Sequence, residues 1–314
     1  MGVGPVDTLV TKGLWQIDTL LGGWEEVNSV FLIEADRPCL VETGPQRDVG
    51  QVIEGLSRHG LGPDDLAWVV LTHIHLDHAG AVGEIAQQFP RAQILCHPKG
   101  LRHLADPTRL IAASAQVYGA RLDSLYGRMT AVDSDRLVAA EDGDLVDLGR
   151  GRQLVVVHSP GHAKHHIGVL EADSGVLLVG DAVGVRLPGA GPLRPATPPD
   201  DFDLELAVGS LHRFLELRPQ QVILTHYGSA GPPEEVLREA EETLRRWATV
   251  AQDAYRELPQ LDHIEQALRA RLAPGGDGDP GRSQAASALN GLSSNAAGLF
   301  GWLERQARSQ AEGS

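Results

Sequence analysis

His73, His75, Asp77 and His78 fall within six residues, in the stretch Leu71-Thr72-His73-Ile74-His75-Leu76-Asp77-His78-Ala79-Gly80. Three imidazoles and a carboxylate are the ligand types that suit zinc, iron or manganese. They follow residues 67–71, a short apolar run that reads as a buried strand. A core has no use for four polar groups at that point, so they read as a site. His73 and His75 are two apart and, in an extended segment, project to the same side. Asp77 and His78 then stand where the chain turns into a helix, expected over about 80–89. Close spacing also lowers the loop-closure cost of gathering ligands.

Three more ligand-type residues stand at strand ends downstream. His162 comes after a strand at 153–158, Asp181 after one at 176–179, and His226 after one at 221–224. Each adjoins glycine or proline. Brought to one sheet edge they complete a set of seven, about what two four- or five-coordinate metals need with water filling the remainder.

The elements that must position these residues fall into two comparable runs. Strands are expected at 14–19, 27–34 and 38–42, a helix at 49–59, and a strand at 93–96. A mostly helical insertion follows at 99–130. Strands resume at 145–148, 153–158, 167–171 and 176–179, then a helix at 202–216. Two sheets packed together with helices outside fit this order. From Pro232 onward the pattern is helical only. A glycine- and proline-rich linker is expected at 274–281 and a last amphipathic helix at about 285–308, packing on the body of the domain, with a homodimer contact as the alternative.

The seven residues, in their order, resemble the signature of the metallo-beta-lactamase superfamily: His-x-His-x-Asp-His, then a distant His, Asp and His. The likeness covers about 14–228. It implies an α+β fold, an αββα sandwich of two mixed β-sheets flanked by helices, with a catalytic domain at 1–231 and a helical C-terminal extension at 232–314. It implies two divalent metal ions, zinc foremost, with iron or manganese as alternatives. His73, His75 and His162 would hold the first, Asp77, His78 and His226 the second, and Asp181 would bridge them. Asp77 would be the catalytic residue, holding the metal-bridging hydroxide and shuttling its proton. Glu42, in Glu42-Thr43-Gly44, stands where the family usually has aspartate, and His166 where relatives carry His or Ser; both would orient the metal ligands from behind. Lys164 and His165 replace more usual small residues and read as exposed loop positions. The remaining histidines (His59, His97, His103, His158, His212 and His263) read as surface or structural.

The family hosts many chemistries, so the fold leaves the activity open. His75 argues against the flavodiiron branch, which carries Glu there. Asp181 argues against true β-lactamases, which generally lack the bridging aspartate. Lactonases often carry tyrosine where this chain has Gly184, and the glutathione-binding residues of glyoxalase II have no clear counterpart at 237–272. The expectation is a dinuclear hydrolase of a small ester, thioester, lactone or phosphodiester. The alternative is an iron-dependent persulfide dioxygenase using His73, His162 and Asp181. The insertion and the loop at 185–199 would form the entrance, with Arg109, Tyr118, Arg121, Tyr126 and Arg194 as candidate substrate contacts.

Composition bounds the partners. Against 27 basic residues stand 42 acidic ones, a net charge of -15. Such a surface repels nucleic-acid phosphate, and it speaks against the transfer-RNA nucleases of the family. Lysine occurs only at Lys12, Lys99 and Lys164. Two cysteines, Cys39 and Cys96, exclude a disulfide framework and read as buried thiols. No basic segment followed by an apolar one opens the chain, and no apolar run approaches the roughly 18 residues of a membrane span. The expectation is a cytoplasmic protein acting on a small molecule, with no nucleic-acid or membrane partner.

Overall fold

A computed structural model describes residues 7–272 and 280–312. The first sheet takes its seven strands in chain order: β1 (Thr8–Thr11), β2 (Leu14–Asp18), β3 (Ser29–Ile33), β4 (Cys39–Val41), β5 (Trp68–Val70), β6 (Gln93–Cys96) and β7 (Leu137–Ala139). It is mixed: β1 to β4 run antiparallel, while β4 to β7 run parallel. The second sheet holds β8 (Leu145–Asp147), β9 (Gln153–His158), β10 (Ile167–Glu171), β11 (Val176–Leu178), β12 (Gln221–Leu224) and β13 (Gly228–Ser229). Its one parallel pair is β11 with β12.

The two sheets face each other across an apolar layer. Phe31, Val41 and Val70 from one side meet Val156, Val169 and Ile223 from the other, all at most 1% exposed. Alternate residues of the same strands point outward: Leu32, Leu40 and Val69 pack beneath the first helical layer. Central strands buried on both faces explain the unbroken apolar runs in the sequence. That first layer comprises α1 (Val49–Arg58), α2 (Leu76–Ala79), α3 (Val82–Gln88), α4 (Pro98–Ala105), α5 (Thr108–Tyr118) and α6 (Leu122–Leu125). The second layer is α7 (Leu204–Glu216) and α8 (Pro233–Glu257), whose Leu211, Phe214, Val236 and Leu237 cover Leu177 and Val222. The αββα architecture expected from the sequence is present.

The helices that follow, α9 (Leu261–Leu272), α10 (Pro280–Leu289) and α11 (Leu292–Glu312), continue this second layer. Trp302 and Leu299 of α11 pack with Phe202, Trp247 and Ile264. Four details differ from the sequence reading. The helix expected at 80–89 is two segments, α2 and α3, and begins before Gly80. The last helix is likewise two, broken at Asn290-Gly291. Three short strands, β1, β7 and β13, were not expected. Most of the linker expected at 274–281 lies outside the described residues, and its last two residues open α10. Cys39 and Cys96 are buried and unpaired. No helix among the described residues is long and apolar enough to cross a membrane.

Candidate metal centre

All seven ligand-type residues leave the same edge of the sandwich. The His73–His78 cluster follows β5, His162 follows β9, Asp181 follows β11 and His226 follows β12, and Glu42 joins them after β4. Loops that must turn back sharply there need glycine. Gly180 has φ +50, and a Cβ on it would lie 2.6 Å from Thr72 Oγ1 and 2.7 Å from His166 Nε2. Gly161 passes so close to α7 that a Cβ would sit 2.3 Å from the backbone of Ala207.

The side chains form two groups of three. In the first, His75 Nδ1 lies 3.0 Å from both His73 Nε2 and His162 Nε2. In the second, Asp77 Oδ2 lies 3.7 Å from His78 Nε2 and 3.5 Å from His226 Nε2, which are 3.2 Å apart. Asp181 stands between them. Its Oδ2 is 3.5 Å from His162 Nε2, and its Oδ1 is 3.3 Å from both His78 Nε2 and His226 Nε2. Zinc–ligand bonds of about 2.0–2.1 Å in a tetrahedron put ligand atoms about 3.3 Å apart, close to these spacings. The structure therefore brings together all seven residues named from the sequence.

The far side of four of the five rings is fixed. His162 Nδ1 donates to the Ala196 carbonyl at 3.0 Å, and His226 Nδ1 to the Val27 carbonyl at 2.8 Å. His78 Nδ1 donates to Glu42 Oε1 at 3.0 Å. Thr72 Oγ1 gives its proton to Glu42 and so accepts from His73 Nδ1 at 3.0 Å. With those protons spent outward, the Nε2 atoms of His73, His162 and His226 aim lone pairs inward. In the first triad the lone pairs of His73 and His162 both face His75 Nδ1, whose one proton cannot satisfy both, whereas a cation among the three can. Asp181 Oδ1 is buried and accepts no hydrogen bond, which leaves its lone pairs to a cation.

Electrostatics point the same way. Burial lowers the basicity of His73 far below the usual histidine range, with His78 and His75 adding to it, and brings His75 to about 4. Burial likewise lowers His162. Neutral imidazoles are the ligand form. For Asp77 burial works upward, but His78 and His226 outweigh it and bring the carboxyl down to about 2. His78 is desolvated too, yet Asp77, Asp181 and Glu42 around it raise its pKa well above normal. Those carboxylates demand positive charge at that spot, and a divalent cation meets the demand better than a proton.

A sequence profile of the metallo-beta-lactamase superfamily matches residues 22–226. The chain belongs to the metallo-beta-lactamase superfamily. Members are mostly hydrolases. The chain is 33% identical over 172 residues to the metallo-beta-lactamase fold-containing protein ST1585 of Sulfurisphaera tokodaii, over 54% of this chain and 63% of that one. It is 29% identical over 119 residues to the acyl-coenzyme A thioesterase MBLAC2 of Bos taurus, over 36% of this chain and 40% of that one. These matches span less than two thirds of either relative. Among solved structures, that of ST1585 superposes with a TM-score of 0.69 at 24% identity, covering 93% of this chain and 98% of that one. TTHA1429 of Thermus thermophilus does so at 0.66 and 20% identity, with 95% of each chain covered. Both likenesses are of fold.

In this member of the superfamily two adjoining cavities lead to the ligands. The inner one is lined by His75, Asp77, His162, Asp181 and His226, and also by Asn290, Ser294 and Asn295 from the C-terminal helices. The outer one, about 730 Å³, shares His75, Asp77, Tyr118, Pro198 and Ser294 with it. Of the candidate substrate contacts, Arg109, Tyr118 and Tyr126 line the outer cavity. Arg121 and Arg194 line neither: Arg121 is exposed in the turn after α5, and Arg194 pairs its backbone with Val185 across the loop they bound.

Other side chains go beyond or against the sequence reading. His165 is no exposed loop residue. Its ring stacks 6.3 Å from that of His73 and lies 5.9 Å from that of His75, and it lines the outer cavity. His166 Nε2 accepts the Asp181 backbone N–H at 3.1 Å, while its Nδ1 donates to Ser159. Thr72, Asn290 and Asn295 were not singled out. Asn295 had a signal: it is a polar residue in the apolar row of Leu292, Ala296 and Leu299.

Proposed function

We propose that this chain is a dinuclear metal-dependent hydrolase of a small ester or thioester, with zinc as the metal. The observation that carries the proposal is Asp181, whose two carboxylate oxygens face two separate ligand triads. Divalent cations held between those triads would supply a water acidic enough to attack near neutral pH and a Lewis acid for the substrate carbonyl. His73, His75 and His162 would hold one, Asp77, His78 and His226 the other. Asp77 Oδ2 faces His78 and His226, which leaves Oδ1 to take the proton the water gives up. Glu42 and His166 keep His78 and Asp181 in place. Tyr118, between the two cavities, stays a neutral hydroxyl because burial pushes it up to about 12, and it is placed to orient the substrate.

The thioesterase activity in the name of one relative supports an acyl substrate. Lactones and phosphodiesters belong to the same reaction class and to the same screen. A mononuclear iron dioxygenase would use His73, His162 and Asp181 alone. It would leave Asp77, His78 and His226 buried against one another with no cation to answer them, which is the costlier arrangement.

The test is metal content and turnover on one sample. We expect about two zinc ions per chain, hydrolysis that a chelator abolishes, and no turnover in Asp181→Ala with the circular dichroism unchanged. A metal-loaded protein inert toward esters, thioesters, lactones and phosphodiesters would overturn the proposal. About one iron per chain, with oxygen uptake on a glutathione persulfide, would replace it with the dioxygenase.

A further inference from the structure

The outer cavity combines an apolar wall with cations that form no ion pair among the described residues. Helix α5 turns Leu110, Ala113, Ser114 and Val117 toward it, positions three and four apart on one face. No residue of α5 is buried, and Val117 is 44% exposed. Leu110 also packs against the core, while Ala113, Ser114 and Val117 leave a helix face open to the cavity as a binding wall. Beside it stand Lys99 and Arg102 of α4 and Arg109 of α5. None of these three forms an ion pair among the described residues. Lys164, the fourth cation of the wall, is held 2.9 Å from Asp201. Arg102 Nε also donates to His103 Nε2 at 3.1 Å, and the wall holds four cations against three acids, Asp77, Asp200 and Asp201, of which Asp77 faces His78 and His226 and Asp201 faces Lys164.

This concentration is unusual for the chain. Its net charge is -15, it has three lysines in all, and two of them line this cavity. A concave site whose charges without ion-pair partners are mainly of one sign attracts the opposite sign. Arginine and lysine are also the residues that hold carboxylate and phosphate. The cavity shares His75 and Asp77 with the metal centre, so one ligand can reach from the cations to the ligand triads.

We propose that the outer cavity is a subsite for an amphipathic anion: an acyl ester or thioester whose apolar chain lies on α5 and whose carboxylate or phosphate sits on Lys99, Arg102 and Arg109. The scissile bond rests on the hydrolase reading; the subsite does not. Calorimetric titration of the zinc-loaded protein with hexanesulfonate, a weak metal ligand, against neutral hexanol tests the subsite alone. At low salt the sulfonate binds at least tenfold tighter than the alcohol. That advantage shrinks with salt and falls at least tenfold in the double variant Lys99→Ala/Arg109→Ala. Arg246→Ala, an exposed charge on α8, leaves it in place. Equal binding of the two probes, or an equal loss in Arg246→Ala, would overturn the proposal.

A second arm reads substrate choice. The ratio of kcat/KM for mono-p-nitrophenyl adipate over p-nitrophenyl hexanoate is expected above ten and to fall in the double variant. A terminal phosphonate of the same length tells phosphate from carboxylate recognition. Sulfonate binding that depends on Lys99 and Arg109, without hydrolysis of any ester, would keep the subsite and remove the hydrolase.

Discussion

Thr197 is tied to Asn295 across 98 positions of chain. Its backbone N–H donates to Asn295 Oδ1 at 2.6 Å, and its hydroxyl lies 2.9 Å from the same oxygen and 3.0 Å from the Asn295 carbonyl. Asn290 joins them, accepting from Asn295 Nδ2 at 2.7 Å and donating to the Pro195 carbonyl at 3.0 Å. The residue before Thr197 is Ala196, whose carbonyl fixes His162. The C-terminal helices thereby hold the loop that holds a metal ligand.

Asn295→Ala should therefore act at a distance. Removing the acceptor strands a buried N–H, at a cost of about 1–3 kcal/mol. Loosening the Ala196 carbonyl should weaken the metal at His162 by about 10–100-fold, the usual effect of losing a group that orients a ligand. Asn295→Asp, which keeps the acceptor, should bind metal closer to the wild type. Chelator-competition titrations of the three proteins check this. A destabilised Asn295→Ala variant with unchanged metal affinity would reduce the network to packing.

Glu42 joins both triads through one carboxylate, reaching His78 directly and His73 through Thr72. It does so from a left-handed backbone, with φ 67, and with Oε2 accepting the Thr72 N–H at 3.2 Å. Glu42→Asp draws the carboxylate back by one methylene and should lower metal affinity by about 10–100-fold. Glu42→Gln keeps the length, and its carbonyl oxygen in the place of Oε1 still accepts from both His78 and Thr72 Oγ1, while the amide nitrogen gives up only the bond from the Thr72 N–H. Metal content after dialysis, in the order wild type, Gln, Asp, is the outcome to look for.

The ligands were legible because each is a polar residue at the end of an apolar strand, and burial makes that pattern costly without a purpose. What the pattern could not carry is tertiary. His165 sits in a polar loop, and only the closeness of His73 and His75 turns that loop inward. The three unexpected strands are two to four residues long and hold too few apolar residues for periodicity to register. The break between α10 and α11 was invisible for the opposite reason. Leu289, Leu292 and Ala296 keep three- and four-residue spacing straight across Asn290-Gly291.

Asp18 gives the fold a pH dependence of its own. Burial raises its carboxyl from 3.8 to about 6, although the backbone N–H groups of Glu26 and Leu20 pull it down. A folded acid weaker than its unfolded form binds the extra proton in the native state. Its contribution is therefore full below about pH 4 and is lost as pH rises through about 6. A two-unit shift corresponds to about 3 kcal/mol. Asn at this position carries no charge at any pH, so the stability gap between wild type and Asp18→Asn should move against the wild type across that window. Urea denaturation of both proteins from pH 4 to 8 measures the gap, and a flat difference would refute the assignment.

Metal removal should cost stability as well as activity. Asp77 and Asp181 stay ionised against buried imidazoles, and without cations their charge is met only by protons on groups such as His78. A ligand that binds the native state alone stabilises it by about 4 kcal/mol at a thousandfold excess over Kd. For a chain of this size that is a drop in Tm on the order of 10 °C when the metal is stripped. The drop should shrink only as the pH falls toward about 4, where His75 begins to take up protons in the metal's place. Asp181→Ala should abolish most of the difference between loaded and stripped protein, since it removes the one carboxylate common to both triads. Differential scanning calorimetry of wild type and variant, each with zinc and with chelator, gives the four numbers. Equal chelator effects in the two proteins would mean that Asp181 bridges nothing.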